Sequence, residues 1–206
     1  MSKPVLFVSC VCLASVSAIL FPRRTEVATS DGRSINQSCL ALADIGSCEF
    51  YSCFERRLPC GRDGYILRTG HYYCNKIERE RGNFSPEGQQ FLTEVQSCLT
   101  SALKEMYQRE YVNCHDLEHH AVEAITPCFM DNEFCDVFET DSEHFLDIYE
   151  VRDLFTAGAA KVWRQIAALA TNCGGEALTR FSANAREAAS SAINNFFSSL
   201  SDRFGK

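Results

Sequence analysis

From Cys39 onward, apolar residues recur at three- and four-residue steps, the period of a helix with one buried face. The clearest run is Phe91, Leu92, Val95, Cys98, Leu99, Ala102, Leu103 and Met106, which places Cys98 on the core-facing side. Ser85-Pro86-Glu87 just before it reads as the start of that helix. Ser85 serves as N-cap, because its hydroxyl can accept from an unpaired first-turn N–H, and Pro86 takes the first helical position, where a missing N–H costs nothing. A second helix is expected from Asp116 to Ile125, ending before Pro127 because the residue preceding a proline is pushed out of helical conformation. A third is expected from about Phe145 to Ala170, closing at Cys173-Gly174-Gly175. Strand signals are sparse, so the expected fold class is all-α.

The two ends of the chain have a different texture. Lys3 is followed by an apolar run from Val5 to Leu20 and then by Pro22, Arg23 and Arg24. The run falls short of the ~20 residues a membrane span needs, and Val16 and Ala18 frame a cleavage after Ala18, so residues 1–18 are expected to be a signal peptide. No second run could cross a bilayer. Residues 19–38 are polar, lack a sustained period and read as a flexible leader. Residues 39–175 then form one disulfide-rich helical domain. In residues 176–206, Leu178, Phe181, Ile193, Phe196, Phe197, Leu200 and Phe204 fall near one helical face, with alanines between them. That tail reads as an amphipathic helix that either packs on its own core or associates with a second copy.

Cysteine usage fixes the compartment. Of the 12 cysteines, Cys10 and Cys12 lie in the expected signal peptide, leaving Cys39, Cys48, Cys53, Cys60, Cys74, Cys98, Cys114, Cys128, Cys135 and Cys173. An even set this dense behind a signal peptide reads as a disulfide framework in an oxidising compartment, and the sequence does not choose among the pairings. With 27 acidic against 20 basic residues the chain is acidic, which argues against nucleic acid or an anionic membrane as its main partner.

Three other constellations bear on chemistry. Asn36-Gln37-Ser38 is a sequon in the leader, and Asn36 is the expected glycosylation site; Asn83-Phe84-Ser85 is a second sequon, disfavoured by the following Pro86. His115-Asp116-Leu117-Glu118-His119 fits H-x-x-E-H, in which two histidines on one helix face hold zinc and the glutamate acts as base. The competing reading, a solvated helix face, is preferred, so no metal ligand, catalytic residue or cofactor is assigned. The nine acidic residues from Asp131 to Asp153 show no EF-hand ligand order and read as a solvated acidic face.

Successive cysteines are separated by 8, 4, 6, 13, 23, 15, 13, 6 and 37 residues. This series, the opening CLALADIGSCEFYSCFE, and the segment from Phe84 through Gly88, Phe91 and Glu94 to Cys98 resemble the stanniocalcin family, secreted glycoprotein hormones, over Cys39 to Cys173. The resemblance implies an intrachain framework without reactive thiols and no enzymatic activity. It implies a role in calcium and phosphate homeostasis through a cell-surface receptor, with noncovalent inhibition of a secreted pappalysin-type metalloproteinase as the alternative. Three departures stand out. The interval from Cys60 to Cys74 is longer than the family pattern, by an insertion around Tyr65 to His71. The family sequon between the third and fourth cysteines is replaced by Glu55-Arg56-Arg57-Leu58-Pro59. No cysteine follows Cys173, so the interchain bond typical of the family has no counterpart here, and a homodimer would be noncovalent.

Overall fold

A computed structural model describes residues 25–150, 153 and 159–204; the expected signal peptide lies outside them. Helices account for nearly all regular structure, so the domain is all-α and disulfide-stabilised. In order they are α1 (Gln37–Asp44), α2 (Glu49–Arg57), a π-helical turn (Ile66–His71) running into α3 (Tyr72–Glu80), α4 (Pro86–Ala102), α5 (Lys104–Gln108), α6 (Cys114–Glu123), α7 (Ile125–Met130), α8 (Phe134–Asp141), α9 (Phe145–Ile148), α10 (Ala159–Cys173) and α11 (Gly175–Phe204). Among the described residues the strands are β1 (Val27–Thr29) and β2 (Tyr111–Asn113), antiparallel with Ala28 opposite Val112. β1 comes from the stretch read as a flexible leader. Ala28 and Val112 face inward while Val27 and Tyr111 stay exposed, an alternation too short to register as a period in the sequence.

α4 begins where its sequence places it. Ser85 Oγ accepts from Gly88 N at 3.1 Å and Pro86 opens the helix. The apolar stripe continues to Met106, but the helix stops at Ala102 and resumes as α5. His120 accounts for the break, because its Nε2 donates to the Ala102 carbonyl at 3.0 Å and so satisfies one of the orphan acceptors at the α4 terminus. α6 ends at Glu123, and Pro127 then falls in the first turn of α7, where a proline interrupts no helical hydrogen bond.

The expected helix from Phe145 to Ala170 is two helices. Tyr149 leaves helical conformation at φ −100°, ψ 75°, and α10 starts only at Ala159. Tertiary contacts explain the interruption. The Glu150 carbonyl accepts from Trp163 Nε1 at 3.0 Å, and the Glu150 carboxylate meets Lys76 Nζ at 2.5 Å. α10 does close at Cys173, followed by Gly174 and Gly175 at φ +67° and +73°, left-handed values that suit glycine.

Two apolar cores share the molecule. One gathers Phe50, Phe54, Tyr107 and Leu117 from α2, α5 and α6 beneath the β ribbon. The other collects Phe91, Phe129, Phe134, Phe138 and Phe145 from α4, α7, α8 and α9, with Trp163 and Ile166 of α10. The rings of Phe91 and Phe129 meet edge to face at 5.4 Å, as do those of Phe134 and Phe145. Burying each such phenylalanine contributes roughly 1.5–3 kcal/mol. The tail helix joins this second core, with Ala177 and Phe181 buried and the Phe181 ring 5.4 Å from Phe138. The side chains of Ile193, Phe196, Phe197, Leu200 and Phe204 lie outside the described residues.

Candidate functional site

The ten cysteines from Cys39 to Cys173 pair as Cys39–Cys53, Cys48–Cys74, Cys60–Cys114, Cys98–Cys128 and Cys135–Cys173. The first ties α1 to α2, the second the start of α2 to α3, and the third the loop after α2 to α6. The fourth ties α4 to α7, and the last ties α8 to the end of α10. Successive loops of the first four overlap along the chain, so no helix between Cys39 and Cys128 can leave without opening a cross-linked loop. Each bond closes 14 to 54 residues of sequence, worth roughly 2–4 kcal/mol in the chain-entropy account. No described cysteine keeps a thiol. Cys48, Cys74 and Glu78 bring ligand atoms within 4.8 Å of one another, but both sulfurs are spent in their mutual bond, so they offer a metal no thiolate.

The H-x-x-E-H segment lies on α6, started by Asn113, whose Oδ1 accepts from the backbone of His115 at 2.8 Å and Asp116 at 3.1 Å. His115 and His119 share its exposed face, and His119 Nδ1 lies 3.0 Å from Glu123 Oε2. Glu118 turns the other way. Only 5% exposed, its carboxylate sits 2.7 Å from Lys161 Nζ. Lys161, Arg164 and Gln165 of α10 form the opposite wall of a groove of about 410 Å³ beside the histidines. The spacing of a zinc hydrolase is present, but the residue in the base position is buried against a lysine, and Lys161 and Arg164 line the groove beside the histidines.

The acidic stretch from Asp131 to Asp153 divides by role, which corrects its reading as a uniformly solvated face. Asp141 is buried and completes the start of α4, accepting from Ser85 N at 3.0 Å and Ser85 Oγ at 2.6 Å. Asp153 is buried beside Lys76 and accepts from the hydroxyls of Tyr72 at 3.1 Å and Tyr73 at 3.3 Å. Glu133 and Asp136, with Glu87 and Glu94 of α4, line an open groove of about 390 Å³.

Asn36 is exposed and caps α1, its Oδ1 accepting from Ser38 N at 2.8 Å, while its own N–H donates to the Tyr107 hydroxyl at 3.2 Å. The second sequon is occupied differently, since Phe84 is buried and the Ser85 hydroxyl is bound to Asp141.

Two buried cations escaped sequence reasoning. Arg57 is 3% exposed and donates to the carbonyls of Tyr107 at 2.7 Å, Arg109 at 2.5 Å and Arg33 at 3.1 Å, and to Glu110 Oε1 at 3.0 Å. It thereby holds α2, the turn after α5 and the segment before α1 together. Lys76 is 2% exposed between Glu150 and Asp153. Neither sits in a motif that marks it. Glu55, two residues before Arg57 in the segment that replaces the family sequon, accepts from Gly61 N at 2.7 Å; burial pushes its carboxyl above the usual range, and its Oε2 is buried without a partner.

The five disulfides and the Glu118–Lys161 pair tie the described helices into one cross-linked body. No curated protein matches the chain. The sequence profile of the stanniocalcin family matches residues 7–204, nearly its whole length, and the chain belongs to that family.

Proposed function

We propose that this chain is a secreted stanniocalcin-like glycoprotein hormone that acts in calcium and phosphate homeostasis by binding a cell-surface receptor, without catalysis. The observation that carries the reading is the family match over residues 7–204. The chemistry of the chain supports it. Five closed disulfides suit an oxidising extracellular destination. The hydrophobic N-terminus supplies a signal peptide over residues 1–18, and exposed Asn36 offers its amide to a glycan. Glu118, sequestered by Lys161, speaks against metal-assisted hydrolysis at the histidine pair. A homodimer, where one forms, rests on apolar contact through the tail. The alternative, inhibition of a pappalysin-type metalloproteinase, would run by noncovalent contact, because the described cysteines are all paired.

The test applies purified, glycosylated protein to epithelial cells while bound protein and calcium and phosphate fluxes are measured together. Saturable surface binding with a changed flux is the expected result. Unchanged fluxes at saturating protein would remove the hormone reading, and a two-component protease assay then decides the inhibitory one.

A further inference from the structure

The groove of about 410 Å³ between α6 and α10 has the size of a small-ligand site, and its lining is rich in hydrogen-bond donors. The carboxylates beside those donors are already engaged. Glu118 turns inward and lies 2.7 Å from the Lys161 ammonium, which has three N–H groups and spends one there. Glu123 lies 3.0 Å from His119 Nδ1. Arg164, exposed on the α10 wall, makes no hydrogen bond or ion pair with a described residue, so its guanidinium keeps five N–H donors. Beside it, the Gln165 side-chain oxygen accepts from Thr126 Oγ1 at 3.2 Å, which leaves the Gln165 amide nitrogen to donate.

These groups define the class of ligand. A cation would meet Lys161 and Arg164, and an apolar molecule would strip water from a guanidinium without replacing its hydrogen bonds. An anion with several acceptor oxygens satisfies the donors, because a guanidinium presents two parallel N–H groups to an oxyanion. A bare oxyanion fills only part of the groove, so the anionic group is carried on a larger molecule. Val122 is the one apolar residue among the seven of the lining, so the rest of that molecule is polar too.

We propose that the groove between α6 and α10 binds a sugar bearing a sulfate or phosphate ester, with Arg164 as the main anchor and Lys161, Gln165 and the two histidines as further donors. The site is independent of the hormone reading. It also responds to acid. With its Nδ1–H directed to Glu123, a neutral His119 ring offers Nε2 only as an acceptor, whereas the imidazolium formed in mild acid donates from both nitrogens. The other charged groups about the histidines are Asp116, 3.9 Å from His115 Nδ1, the buried Glu118 on the same helix, and Lys161 and Arg164 across the groove.

Calorimetric titration of the secreted, disulfide-intact chain at low salt tests the site, with N-acetylglucosamine 6-sulfate and N-acetylglucosamine 6-phosphate as ligands and the uncharged sugar as control. Saturable binding of an ester but not of the uncharged sugar is expected, and the tighter ester identifies the oxyanion. Arg164→Gln weakens binding about tenfold or more, while Arg186→Gln, at an exposed arginine on α11, leaves it unchanged. The sulfate ester keeps its charge in mild acid, so its binding tightens severalfold from about pH 7.5 to 5.5, and replacing His115 and His119 together by glutamine abolishes that gain. Absence of binding at millimolar ester, equal weakening by the two arginine variants, or an acid response that survives the histidine replacements overturns the proposal.

Discussion

Replacing Lys76 by methionine tests the seam between α3 and the segment before α10 at its most charged point. The Lys76 ammonium lies 2.5 Å from Glu150 Oε1 and 3.4 Å from Asp153 Oδ2, and 5.2 Å from the centre of the Tyr72 ring. Methionine keeps most of the stem and removes the charge. Breaking a buried pair costs about 3–5 kcal/mol, because the remaining carboxylate stays in a medium that solvates it poorly. Here the Asp153 side chain is 7% exposed but keeps its tyrosyl donors, and Glu150 is 30% exposed, so the loss belongs at the lower end, about 3 kcal/mol. In a domain of this size that is a fall in Tm of roughly 6–12 °C. Urea unfolding with intact disulfides reads it as a lower midpoint at unchanged slope. Adding Asp153→Asn to Lys76→Met recovers part of the loss, since the buried carboxylate charge that faced Lys76 goes with it. A single variant within about 0.5 kcal/mol of the parent, or a double variant equal to the sum of the singles, would refute a coupled buried pair.

Other consequences follow from the same structure. Ser85→Ala removes the α4 N-cap and one donor to Asp141, a loss of about 1–2 kcal/mol in urea unfolding; a neutral result contradicts the capping geometry. Converting Cys98 and Cys128 together to serine opens a 30-residue tie between α4 and α7 and lowers stability by roughly 2–4 kcal/mol, with Cys135–Cys173 still formed on a nonreducing peptide map. Burial raises the Glu55 carboxyl in the folded chain, so the fold binds its proton more tightly than the unfolded chain does, and stability from this residue falls as pH rises from about 4.5 through the raised value. Glu55→Gln flattens that part of the pH–stability profile; an unchanged slope contradicts it. On intact mass, Asn36→Gln removes a glycan while Asn83→Gln changes nothing beyond the substitution itself.

What the sequence made legible was local. The start of α4 could be read because Ser85 and Pro86 act within one turn, and the close of α10 because Gly174 and Gly175 adopt their own backbone conformation. What it hid depends on residues far apart in the chain. The break at Tyr149 is set by Trp163 and Lys76, and β1 pairs with a strand more than eighty residues away through three residues on each side. The direction of Glu118, which decides between a zinc site and a structural ion pair, is set by Lys161 on another helix. Arg57 and Lys76 read as ordinary surface cations because their carboxylate and carbonyl partners come from other elements. Cysteine spacing identified the framework, but its pairing depends on which helices become neighbours.

Nonreducing peptide mapping of the secreted protein, with free thiols alkylated beforehand, tests the closed framework most directly. The expected result is no interchain disulfide, no alkylated cysteine from Cys39 to Cys173, and linked peptides for Cys39–Cys53, Cys48–Cys74, Cys60–Cys114, Cys98–Cys128 and Cys135–Cys173. A free thiol within that set, a different pairing or a disulfide-linked dimer would contradict it and reopen a covalent route to partners.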